Sequence, residues 1–224
     1  MDETILMADP RVADTPAHEC GKPMRDARHY SDLLIDQREH ADNEVFTYVR
    51  EGVLKRLQEA QRLLPEGLCL LLVEGHRPLS LQRFYFDQYA QELSDANPDW
   101  DAEKLRMATS RLVAPPEIAP HGTGGAVDLT LATAGGQELD MGTSVNASPE
   151  DSNGACYTSA VNISAEARGN RDLLSSVSTA AGFVNYPTEW WHWSYGDRYW
   201  ALATGEVAAV YAVRPPSGPV LESA

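Results

Sequence analysis

PHGTGGAVDLTL, Pro120 to Leu131, is the stretch on which the fold turns. From Ala126 onward it alternates. Val127, Leu129 and Leu131 fall on one side, Asp128 and Thr130 on the other, which is the two-residue period of a strand. The apolar side must face a core, so Asp128 projects from the opposite face. A carboxylate buried there without a partner is costly. The Gly-rich turn from Gly122 to Gly125 lets the chain fold His121 back toward Asp128.

A second stretch, TEWWHWSYGDRYWA (Thr188 to Ala201), supplies a possible partner. His192 stands among Trp190, Trp191 and Trp193, which can exclude water and hold its ring still, and Glu189 lies three residues before it. Two imidazoles and one carboxylate suit an open zinc site, with a fourth position left for water. A glutamate beside such a site can act as general base. His121 and Asp128 are seven residues apart, which does not fit one helix face, so tertiary structure must assemble the site and HExxH-type helical zinc sites are excluded. Taken singly, each residue has a plainer reading: His121 in a turn, Asp128 capping a loop, His192 satisfied in the core. Positions three apart on a regular strand face opposite ways. Glu189 and His192 therefore meet only if the chain bends near Pro187.

Arg77 is the third element. It ends the apolar run Leu68 to Val73 in the turn Gly75-His76-Arg77-Pro78. From there its guanidinium can stabilise an oxyanion, or simply pair with an acid such as Glu74.

Working outward, Phe46, Val49, Val53, Leu57, Ala60 and Leu64 recur at helical steps, with Asp42 or Asn43 as cap and Pro65-Glu66-Gly67 as stop. Leu68 to Val73 reads as a strand buried on both faces, with Cys69 a buried small hydrophobe. Further helices are expected from Ser80, from Asp99 to Leu112, and from Ala165 to Ala181 with Gly182 just past the end. Gly135-Gly136 suits a hairpin into Glu138 to Met141. Residues 142–164 form a long polar loop, and Val207 to Val213 a last strand. Residues 1–40 read as a wrapping segment. Strands and helices in irregular order predict one α+β domain over residues 1–213, a small antiparallel sheet flanked by helices, with residues 214–224 a disordered tail.

A chain of 224 residues suits one core better than two. Eighteen basic against 33 acidic residues give a net charge of −15, which argues against nucleic acid or an anionic membrane as partner. The opening MDETILMADPRVADTP lacks a secretory pattern, and no apolar run approaches the ~20 residues of a membrane span. Cys20, Cys69 and Cys156 are few, odd in number and far apart, so neither a thiolate zinc clamp nor a disulfide framework is indicated. A cytoplasmic protein is expected.

With those residues in view, the chain from about Ile5 to Tyr211 resembles the VanX-type D-alanyl-D-alanine dipeptidases, zinc peptidases whose core is similar to the hedgehog signalling domain. The resemblance rests on EGHRP (Glu74 to Pro78), HGTGGAVDLTL (His121 to Leu131), DMGT (Asp140 to Thr143) and EWWHW (Glu189 to Trp193). It implies one zinc ion per chain held by His121, Asp128 and His192. It further implies Glu189 as general base, Arg77 on the developing oxyanion, and a hedgehog/DD-peptidase-like fold. The implied substrate is D-Ala-D-Ala or a closely related small peptide. Three positions depart from the pattern. Ala119 stands where a serine is expected near the substrate carboxylate, Asn146 where an aspartate is expected near its ammonium, and His76 where tyrosine is common. These leave open a D,D-carboxypeptidase or another small-peptide zinc peptidase; separately, a zinc-stabilised binding module without catalysis is the alternative of another class.

Overall fold

The alternating stretch becomes the central strand of the molecule. A computed structural model describes residues 4–30, 33–38 and 44–213. In chain order the elements are α1 (Pro10–Asp14), β1 (Met24–Asp26), β2 (Leu34–Ile35), β3 (Tyr48–Arg50), α2 (Glu51–Leu63), β4 (Leu68–Glu74), α3 (Leu79–Ala96) and α4 (Ala102–Thr109). They continue with α5 (Pro120–Thr123), β5 (Ala126–Thr133), α6 (Ala165–Ala180), β6 (Val184–Asn185), β7 (His192–Ser194) and α7 (Arg198–Thr204). The main sheet has the order β2-β4-β5-β7-β6, antiparallel throughout except that the short edge strand β2 runs parallel to β4. β1 and β3 form a separate antiparallel pair.

One face of the sheet is apolar because β4 and β5 share register. Leu70 opposes Leu131 and Leu72 opposes Leu129, while Val127 opposes Trp193 of β7. α2 and α6 belong to the same core, through Val53, Leu54 and Leu57 on one and Leu174 and Val177 on the other. Each such side chain, fully buried, contributes roughly 1.5–3 kcal/mol. The other face carries Asp128 and His192, directly opposite one another across β5 and β7. A smaller cluster, Met7, Val12, Ile118, Tyr186 and Tyr199, ties the N-terminal segment to the rest.

The expected α+β architecture is present, with local differences. The first long helix begins at Glu51 because residues 48–50 pair as β3, and its expected caps Asp42 and Asn43 lie outside the described residues. Capping by Asp101, whose side chain accepts from Lys104 N, starts α4 later than Asp99. Glu138 makes a single bridge to Ala132 in place of a hairpin strand. Val207 is exposed, and among residues 207–213 only a bridge from Ala209 to Ala17 forms. Cys69 is half-buried. The expected tail, residues 214–224, lies outside the described residues. No helix among the described residues is long and apolar enough to cross a membrane.

Candidate metal centre

His121 sits on the single turn α5, which Pro120 opens and Gly124 closes in the left-handed region at φ 69°. Its Nδ1 lies 2.7 Å from the carbonyl of Gly75. That acceptor fixes the proton on Nδ1 and turns a bare Nε2 toward the site. The contact is mutual: Arg77 N–H donates to the His121 carbonyl at 3.3 Å, and His76 Nδ1 lies 3.1 Å from the same oxygen. Only glycine fits at 75. A Cβ there would lie 2.7 Å from the Tyr48 carbonyl and 2.7 Å from Val49 Cγ1.

Asp128 and His192 meet through strand pairing, and His121 reaches them from the turn. His121 Nε2 is 3.1 Å from His192 Nδ1, His192 Nδ1 is 3.2 Å from Asp128 Oδ1, and His121 Nε2 is 3.4 Å from the same oxygen. All three side chains are buried. Burial alone would raise the Asp128 pKa, but the two imidazoles, His121 foremost, hold it far below the usual carboxylate range. Burial, aided by the neighbouring His121, lowers the pKa of His192, whereas the Asp128 charge overrides burial at His121 and raises it. The donor spacing fits zinc. A tetrahedral ion with bonds of about 2.0–2.1 Å holds its donors about 3.3–3.4 Å apart, close to all three separations here.

The chain solves the three-residue problem at Glu189 with turns in place of a strand. Glu189 N–H donates to the Tyr186 carbonyl at 2.9 Å and His192 N–H to the Glu189 carbonyl at 3.3 Å. Asn185 Nδ2 clasps the carbonyls of both Glu189 and His192 at 3.0 Å. Glu189 and His192 therefore share a side, with Glu189 Oε2 3.7 Å from His192 Nδ1. Burial, reinforced by the nearby negative charge of Asp128, pushes the Glu189 carboxyl well above its ordinary pKa, while Arg77 and Trp191 pull the other way.

Arg77 is buried and pairs with Glu74, Nε to Oε1 at 3.0 Å and a second contact from Nη2 to Oε2. Its Nη1 donates to Gln82 Oε1 at 3.0 Å. The plainer role of Arg77 is thus present, yet Arg77 also lines the same cavity as His121, Asp128, Glu189 and His192. Asn146 lies on the wall of that cavity at φ 64°. Ala119 is fully buried and only its neighbour Pro120 reaches the wall. His76 contacts the His121 backbone.

Sequence reasoning missed Met7, Gln82 and Tyr186, which also line the wall. It also missed Arg171, whose guanidinium donates to the carbonyls of Met141, Ala155 and Tyr157 at 2.6, 2.8 and 2.8 Å. That one side chain organises both sides of the long polar loop. The loop in turn receives the Trp190 indole through Thr143 Oγ1 at 2.8 Å and the Trp190 N–H through the Cys156 carbonyl at 3.1 Å. A buried arginine on an amphipathic helix, with no acid three or four residues away to claim it, carries no distinctive sequence signal.

A family model described as D-ala-D-ala dipeptidase matches residues 35–210. The chain is 30% identical over 176 residues to the D-alanyl-D-alanine dipeptidase of Synechocystis sp., covering 68% of this chain and 71% of that protein. It is 40% identical over 72 residues to the D-alanyl-D-alanine dipeptidase of Escherichia coli, 32% of this chain and 35% of that one. Among solved structures, the LdcB LD-carboxypeptidase aligns with TM-score 0.46 and 17% identity, over 84% of this chain and 76% of its own. A mutant of the vancomycin resistance D,D-pentapeptidase VanY in complex with Zn(II) aligns with TM-score 0.41 and 16% identity, over 77% and 86%.

Proposed function

The chain belongs to the D-Ala-D-Ala dipeptidase family and is a metallopeptidase; on that premise we propose that it hydrolyses D-Ala-D-Ala or a close dipeptide at a single zinc ion held by His121, Asp128 and His192, with Glu189 as general base. The observation that carries this reading is the spacing of three bare donor atoms at 3.1, 3.2 and 3.4 Å, with a buried carboxylate 3.7 Å from one of them. When bound, the ion supplies Lewis acidity, polarising the scissile carbonyl and making water nucleophilic at neutral pH.

The protein side chains supply the rest. Glu189, buried with Oε2 3.7 Å from His192 Nδ1, takes the proton from the attacking water. It then delivers that proton to the departing amine nitrogen as the C–N bond breaks. Arg77 retains N–H groups beyond those given to Glu74 and Gln82, and these serve the oxygen on which negative charge develops. The neighbouring Glu74 carboxylate keeps this guanidinium fixed, so little reorganisation is needed as charge forms. Met7, Leu112 and Tyr186 line the cavity beside these groups.

Asn146 on the cavity wall favours a second reading, a D,D-carboxypeptidase acting on a blocked dipeptide end. An amide can accept from a free ammonium but offers it no counter-charge. The test is steady-state kinetics of the zinc-loaded protein on D-Ala-D-Ala, its N-acetyl derivative and a panel of D- and L-dipeptides, with metal content measured. Higher kcat/KM on the free dipeptide supports the dipeptidase. Preference for the blocked form supports the alternative, and hydrolysis of none of them sinks both.

A further inference from the structure

Asp197 is a fully buried carboxylate that the proposed chemistry does not use. Its Oδ1 caps α7, accepting from the Trp200 N–H at 3.0 Å, but its Oδ2 has no hydrogen-bond partner among the described residues. An N-cap needs an oxygen and no charge, since asparagine and serine cap as well as aspartate. Burying an ionised group with half its acceptor capacity idle is expensive. Burial raises its pKa, and the Trp200 N–H, the Ser194 hydroxyl and a neighbouring imidazole oppose that rise.

The neighbour in question is His192. Its Nδ1 faces Asp128 and His121, so its Nε2 points away from the cluster, 3.4 Å from Ser194 Oγ. Ser194 is fully buried and lies on the same sheet face two residues along β7, and its hydroxyl is among the groups that favour the ionised form of Asp197. The other imidazole is arranged alike: His121 spends its far nitrogen, Nδ1, on the Gly75 carbonyl. An imidazole that binds a cation through one nitrogen is held in ring orientation and tautomer by what the other nitrogen donates to, and a carboxylate there also makes it a better ligand.

We propose that Asp197, acting through the Ser194 hydroxyl, is the positioning carboxylate of His192: Nε2–H donates to Ser194 Oγ, Ser194 O–H donates to Asp197, and Nδ1 is thereby presented unprotonated to the ion. This rests on the metal-centre reading above. It explains why a buried acid occupies a cap position that a neutral residue would serve.

The experiment measures zinc affinity by chelator competition at fixed pH and, separately, the thermal midpoint of the metal-free protein. Asp197→Asn keeps the cap and the shape and removes the charge. It should weaken zinc binding by about 10–100-fold while leaving the metal-free midpoint close to wild type. Ser194→Ala should weaken binding in the same way, and Ser194→Thr, which keeps the hydroxyl, should restore it. Should Asp197→Asn fail to fold, the Ser194 pair decides alone. Wild-type affinity in both Asp197→Asn and Ser194→Ala overturns the inference and leaves Asp197 a helix cap. A His192→Ala protein that binds zinc as tightly as wild type overturns the metal-centre reading, and this inference with it.

Discussion

Replacing Arg77 by alanine tests whether its guanidinium serves the reaction or only the fold, because both roles are written into the same contacts. Arg77 and Glu74 are each buried, paired by two hydrogen bonds, and Gln82 holds the third side of the guanidinium. Removing one partner of such a pair strands a buried charge, which typically costs about 3–5 kcal/mol of stability. Losing an oxyanion donor separately costs about 2.7–4 kcal/mol of barrier, a 10²–10³-fold fall in kcat. Arg77→Ala alone confounds the two. The double variant Arg77→Ala/Glu74→Gln separates them, since a neutral amide at 74 is no longer a stranded charge. Urea unfolding of the zinc-loaded proteins should show most of the lost stability returning in the double variant. Kinetics on the preferred dipeptide should show kcat still reduced by at least 10²-fold, with zinc content unchanged. A double variant that regains both stability and turnover would refute the reasoning, leaving Arg77 the counter-ion of Glu74 and nothing more.

Glu189→Gln should retain zinc and lose about 10²–10⁴-fold in kcat, read by parallel metal analysis and kinetics. The same variant makes a pH prediction for the metal-free protein. The folded pKa of Glu189 is raised above its ordinary 4.5, so ionising it penalises the fold as pH climbs from that value through the raised one, and the penalty is absent below. Metal-free Glu189→Gln should therefore be the more stable of the two at neutral pH, with the gap closing as pH falls toward 4.5; a gap that widens on acidification refutes the sign. Asp128→Asn should abolish the rise of thermal midpoint with added zinc, a rise that reaches about 2.7 kcal/mol of stabilisation at 100 times the Kd. Arg171→Met removes three donors from buried carbonyls. Each such bond to a charged donor is worth about 1.5–3 kcal/mol. Part is returned because burial, then Arg168, already press the Arg171 pKa down to about 10, so a net loss of about 3 kcal/mol in urea unfolding is expected, with faster proteolysis in residues 142–164.

What the chain disclosed in advance follows from range. Asp128 could be assigned a face because Val127, Leu129 and Leu131 alternate around it, and β5 runs from Ala126 as that pattern requires. His121, Glu189 and His192 were marked by company: a Gly-rich turn and a run of tryptophans. Their meeting, however, depends on Asp128 lying opposite His192, a pairing over 64 residues that no local pattern encodes. The turns from Tyr186 to His192 were needed by the chemistry but invisible as turns, because Asn185, the residue that clasps them, is not itself in the motif. α7 escaped notice for a different reason. Its cap, Asp197, sits in the loop after β7 with only seven helical residues beyond it, too few for a periodic stripe. The expected strand over residues 207–213 stops at one bridge because its backbone is spent on irregular partners: residues 16–20 at Ala209 and Val210, and the Gly196 carbonyl, which accepts from both Val210 and Tyr211.

The main sheet also shows how one irregular residue makes the site. β4 and β5 pair in strict alternation from Leu68 to Leu72, which would set Val73 opposite Asp128 and turn Glu74 to the apolar side. The register shifts between Leu72 and Glu74, and it is Glu74 that opposes Asp128. A bulge of one residue exchanges which face the next side chain joins. The consequence is a row across three strands, Glu74, Asp128 and His192, all on the face away from the leucine core. Glu74 then reaches Arg77 three residues on, and Gly75 directly after it gives its carbonyl to His121. The anchor of the guanidinium, the strand-borne carboxylate and the orientation of one imidazole all depend on that single step in register. This is why EGHRP and HGTGGAVD, 43 residues apart from Pro78 to His121, work as one structural unit, and why a bulge beside a functional site is better treated as part of it than as an imperfection of the strand.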